Sequence, residues 1–83
     1  MELESTLLAL EPGQTGRVLA VEVPGSMGRR LREIGLTPGT RVSCLGRSPL
    51  GDPSAYLVRG AVIALRAGDS GRIRLAPAEA AHG

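Results

Sequence analysis

The sequence predicts a mostly β protein: a small β-barrel of five or six strands with one short α-helix inserted after the first strand. Three observations point there. Twelve glycines and six prolines fall between short apolar runs, the punctuation of closely spaced turns. The pair Pro-Gly stands twice at the centre of four residues, in Glu11-Pro12-Gly13-Gln14 and Thr37-Pro38-Gly39-Thr40. Only one convincing stretch, Met27 to Ile34, carries apolar residues at helical spacing.

Both Pro-Gly pairs read as type II turns, because proline presets φ at the second position and glycine accepts positive φ at the third. Each turn leads into a candidate strand, residues 17–23 and 41–46. Two further strands, 55–58 and 61–65, flank Arg59-Gly60, a two-residue hairpin signal. A last strand spans 71–75, and "LEPGQTGRV" recurs loosely there as "LRAGDSGRI", which reads as one turn-to-strand device used twice. In the helix, Met27, Leu31 and Ile34 form a single apolar stripe. Ser26 suits the N-cap. Gly35 suits the left-handed position past the C-terminus, with Leu36 folding back onto Leu31.

The hairpin register follows from the turn. Val58 opposes Ala61, Leu57 opposes Val62, and Tyr56 opposes Ile63. Alternation then puts Tyr56, Val58, Ile63 and Leu65 on one face and Ala55, Leu57, Val62 and Ala64 on the other. Both faces are apolar. A hairpin in a small barrel has one core side, so unless a tail covers them Leu57 and Val62 are expected outside, either as scattered surface residues or as an interface for weak self-association.

The 83 residues make one domain, with an ordered core expected over about 7–76 and a flexible tail over 77–83. All ten basic residues are arginine, and against eight acids the net charge is +2, too mild for a nucleic-acid footprint. There is no Phe or Trp and one Tyr. That removes the aromatic platform of a single-strand binder and the aromatic groove that receives proline-rich peptides. Cys44 is the one cysteine, so no internal disulfide is expected, and its strand position reads as a small buried hydrophobe. His82 is the one histidine, and no triad can be assembled around it. "PGSMGRR" lacks the spacing and the lysine of a phosphate-binding loop. The chain reads as a non-enzyme. Without an apolar run of membrane-spanning length or a basic leader, it also reads as soluble and cytoplasmic.

The motifs "RRLREIGLTPGTRV", "RSPLGDP", "VRG" and "IALR", after the opening "LLALEPGQTGRVLAVE", strongly resemble the ferrous-iron transport protein A (FeoA) family over roughly residues 7–75. The resemblance implies an SH3-like barrel acting in the cytoplasm, or peripherally at the inner face of the membrane. Its partner would be a FeoB-type ferrous-iron transporter whose cytosolic portion carries a GTP-binding domain. The same barrel resembles the C-terminal domain of iron-dependent repressors, which leaves a second reading open: a free-standing module in metal-responsive or DNA-associated complexes.

Candidate site residues follow. Arg29, Arg30 and Arg32 oppose or border the helix stripe, as a solvated face or as a docking face for an acidic partner. Glu33, one turn after Arg29, can partly neutralise it. Leu50 sits in the turn-rich "SPLGDP", either tucked onto the barrel or offered to a partner, and Asp52 is expected to bond its own backbone there. Glu79 and His82 have i, i+3 spacing. In a helical tail they could trap an adventitious Zn²⁺ or Fe(II), but two ligands do not make a selective site.

Overall fold

A computed structural model describes residues 5–77. Six strands form one antiparallel sheet: β1 (Ser5–Thr6), β2 (Thr15–Val21), β3 (Arg41–Arg47), β4 (Ser54–Val58), β5 (Ala61–Leu65) and β6 (Ile73–Leu75). A 3₁₀ turn (Leu7–Ala9) follows β1, α1 (Gly25–Glu33) joins β2 to β3, and the single turn α2 (Ala67–Ser70) joins β5 to β6. The spatial order is β1-β6-β2-β3-β4-β5. β1 and β5 are therefore the two edges, and the expected closed barrel is not formed. β1 has only two residues, and the chain turns at once so that the fully buried Leu7 fills the space beside Tyr56, whose hydroxyl donates to the Leu7 carbonyl at 3.5 Å.

The turns form through local chemistry. Gln14 N–H donates to Glu11 O at 2.9 Å and Thr40 N–H to Thr37 O at 3.0 Å, with Gly13 and Gly39 at φ +92° and +91°. In the β4–β5 hairpin both turn residues have positive φ, Arg59 at 51° and Gly60 at 82°. That is the twist-matched two-residue turn, and it sets the register Val58–Ala61, Leu57–Val62, Tyr56–Ile63. Tyr56, Val58 and Leu65 are buried, Ile63 packs against them, and Leu57 and Val62 lie outside.

Two ladders carry an extra residue, Leu19 between the Val18–Leu75 and Ala20–Arg74 pairs and Leu45 between Cys44–Tyr56 and Gly46–Ala55. A bulged residue is re-aimed away from its row; both leucines are exposed. The second "GDSGRI" phrase departs from the first. Its Gly68 has no positive φ and sits in α2, a helical turn in place of a type II turn.

α1 differs from expectation at its start and in its buried face. Pro24 is the N-cap, with no side-chain cap bond, and Gly25 carries the turn at φ +71°, so Ser26 lies inside the helix. Met27 and Ile34 are exposed. The helix instead buries Gly28 and Leu31, against a core that includes Val23 and Leu36. Its C-terminus closes with Leu36 N–H to Leu31 O at 2.9 Å and Gly35 N–H to Arg32 O at 3.0 Å, Gly35 having φ +106°. Thr40 Oγ1 donates to the Gly35 carbonyl at 2.9 Å and locks the loop. Leu31 is the one large side chain that this helix buries, so Leu31→Ala should cost about 2–5 kcal/mol in denaturant unfolding. A cost of a few tenths would mean that the helix packs on nothing.

Candidate docking surface

Several exposed arginines lie on α1 and around the loop that follows it. On α1, Arg29, Arg30 and Arg32 are all exposed. The Arg32 guanidinium folds back beside Gly28, with Nη1 3.4 Å from where a Cβ would stand. Arg29 and Arg30 are left as the outward pair. Glu33 forms no ion pair with Arg29 among the described residues, where the ion pairs are Arg47–Glu11 at 3.3 Å and Arg74–Glu22 at 3.1 Å.

The sheet extends this surface. Arg17 and Arg41 are directly paired across β2 and β3, a like-charge pair that is unfavourable by itself. One position beyond the Val42–Val58 pair, Arg41 faces the hairpin turn that holds Arg59. Arg59 packs its stem over Gly35 and points Nε at the Gly35 carbonyl, 3.4 Å away. Arg17 Nη1 donates to Gly39 O at 3.1 Å. Five cations, Arg29, Arg30, Arg17, Arg41 and Arg59, thus lie on α1 and around the loop that follows it. Sequence reasoning found only those on the helix. The others are placed by register, and the signal available was the spacing of Arg17, Arg41 and Arg59 from turns whose geometry could be read.

The apolar candidates divide. Leu57 and Val62 pair at 37% and 65% exposure, and Leu45 (47%) shares their outer face. Gly46, Ala55 and Ala64 line up in register across β3, β4 and β5. Being small, they leave an open groove of about 380 Å³ between Leu45 and Pro53. Leu50 is 94% exposed, but it tips the β3–β4 loop at the other end of β4 from Arg59. A five-residue strand, about 17 Å, separates it from the arginines. Asp52 does not bond its own loop; its Oδ1 accepts the Ala67 N–H at 2.8 Å and anchors the loop to α2. Cys44 is a buried free thiol. Among the described residues no three His, Cys, Asp or Glu side chains come together to hold a metal. Glu79 and His82 lie outside the described residues, as does the tail from residue 78. No helix among the described residues is long and apolar enough to cross a membrane.

Fold and surface define a small antiparallel β module that offers a cationic end and an apolar outer sheet face. The chain belongs to the FeoA family: the sequence model of the FeoA domain matches residues 5–77, and the family is one of ferrous-iron transport. Its structure is similar to the FeoA protein from Chlorobium tepidum (27% identity, 94% of this chain and 74% of that one, TM-score 0.85). It is also similar to Stenotrophomonas maltophilia FeoA (28% identity, 86% and 88%, TM-score 0.76). That protein was solved with zinc and described as an SH3 domain protein suggested to activate bacterial ferrous-iron transport. A manganese-dependent transcriptional repressor shares the fold at 20% identity, with 94% of this chain and 43% of that one covered and a TM-score of 0.78. No curated protein sequence matches significantly.

Proposed function

We propose that the chain is a non-catalytic cytoplasmic regulator of a FeoB-type ferrous-iron transporter, acting by protein contact. Its cationic end would dock on an acidic surface of the transporter's cytosolic portion. One observation carries the reading: Arg17, Arg41 and Arg59 gather around the loop that follows α1, Arg29 and Arg30 are exposed on that helix, and none of the five has a carboxylate in salt-bridge range among the described residues. Directly paired arginines repel each other, and an acidic partner would relieve that cost. Planar guanidinium groups also suit interfaces.

Charge reversal tests it. Arg29→Glu with Arg30→Glu should change folding stability by no more than about 0.5 kcal/mol, as surface substitutions do. The same variant should lose capture by transporter-containing membranes, mainly through slower association that depends on salt. Unchanged capture, or steeply salt-dependent duplex-DNA binding without capture, would overturn the proposal. Ferrous-iron uptake in cells lacking only this chain is the companion measurement.

A further inference from the structure

The β5 edge is built to receive a strand. In a two-residue hairpin the residues flanking the turn form a hydrogen-bonded pair, and such pairs alternate along the ladder. Ala61, Ile63 and Leu65 therefore exchange bonds with β4, while the N–H and C=O groups of Val62 and Ala64 point away from the sheet. No other backbone group among the described residues bonds those four. Edges are ordinarily blunted by charge, proline, bulges or brevity. β5 has five residues, Ala-Val-Ile-Ala-Leu, and none of these devices. The opposite edge, β1, has two residues.

We infer that β5 binds an extended segment of a partner protein that is apolar in its middle and acidic at both ends, adding it to the sheet as a seventh strand. The charge follows from the flanks: Arg59 precedes β5 and Arg66 follows it, both exposed, and neither has an ion pair among the described residues. Asp52 Oδ1 accepts the N–H of Ala67, the residue after Arg66, and its carboxylate makes no ion pair with Arg66. The apolar middle follows from the outer face. A partner residue beside Ala64 can lay a leucine-sized side chain over Ala64 and Ala55 into the open groove. Main-chain bonds supply the affinity of such an addition, and the alternate side chains supply its specificity. A second copy fits less well. Antiparallel pairing centred on Ile63 sets Val62 against the other Ala64 and brings Arg59 and Arg66 of the two copies together at each end, with like charges unrelieved.

This contact shares Arg59 with the cationic surface beside α1 but otherwise rests on β5 and Arg66, and it is tested without the transporter. The probe is a seven-residue peptide with glutamate at both ends and alternating leucine and threonine between, compared with the same peptide ended in lysine. The readout is amide hydrogen exchange in the full chain. With the glutamate peptide at about ten times its Kd, the Val62 and Ala64 amides should slow about tenfold. The lysine peptide should leave them unchanged. Arg66→Glu should weaken binding of the glutamate peptide, and Val62→Pro, which removes an outward N–H and no ladder bond, should abolish it. Equal protection by both peptides, or none by either, overturns the inference. So does protection that grows with chain concentration without peptide, which would make a second copy the occupant.

Discussion

Tyr56→Ala should remove a large part of this domain's stability, while Tyr56→Phe should barely disturb it. Tyr56 is the largest fully buried side chain, 1% exposed, and stands on β4 between Cys44 and Ile63. Truncating a buried aromatic to alanine costs about 3–5 kcal/mol. A chain this long has roughly 4–12 kcal/mol to lose, at about 0.05–0.15 kcal/mol per residue. With no other aromatic to close the cavity, the upper part of the cost range is expected. The phenol oxygen contributes little, because its bond to Leu7 O is long at 3.5 Å. Phenylalanine should therefore cost less than about 1 kcal/mol. Urea unfolding followed by circular dichroism checks both, since the alanine variant lacks the only intrinsic fluorophore. A loss under about 1 kcal/mol for Tyr56→Ala would mean that the core is not organised around this ring.

Gly28→Ala should destabilise the protein although it improves the helix. Alanine is favoured over glycine inside a helix by about 0.8–1.0 kcal/mol. Here the added Cβ would overlap the Val23 carbonyl oxygen and stand 3.0 Å from its carbon. Both obstructing atoms are backbone of the segment that leads into α1, so relief requires the Val23–Gly25 entry or the first turn of the helix to shift. Overpacking costs about 1–3 kcal/mol, occasionally more, and α1 would also lose the seat of Leu31. The clash wins. Gly68→Ala is the matched control: it sits in α2, has no positive φ and has nothing within 4 Å of its Cβ. It should stabilise by about 0.4–1 kcal/mol. Opposite signs for the two substitutions in denaturant midpoints are the expected result; a stabilised Gly28→Ala would show that α1 is free to shift.

What could be read from the sequence was what the chain decides locally. The Pro-Gly turns and the Arg59-Gly60 hairpin each need only neighbouring residues, and the hairpin's register follows arithmetically from its turn. β1 escaped notice because two residues carry no period and their partner, β6, lies about seventy residues away in sequence. The α1 stripe was centred wrongly because three apolar residues define a direction loosely. Glycine adds nothing to an apolar count, yet here it makes the closest approach. For the candidate surface, Leu57 and Val62 lie outside as alternation requires, and the helix arginines are exposed. Arg17, Arg41 and Arg59 become neighbours only when three strands are aligned, and Leu50 is separated from them by the length of β4. No reading of a single segment contains those facts.

The pairing of Ser5 with Leu75 has a mechanical consequence. The chain enters and leaves the fold side by side, so tension applied between the ends acts across β1 and β6 at one end of the ladder. Antiparallel strands pulled this way open like a zipper, one pair at a time, whereas shear would load every bond together. Two residues of β1, backed by the Ala76 N–H bond to Arg17 O at 2.9 Å, are the first to give. Tension between the two ends would strip β1 first. The hairpin carrying Arg59 and β5 lies at the far side of the sheet and would keep its shape.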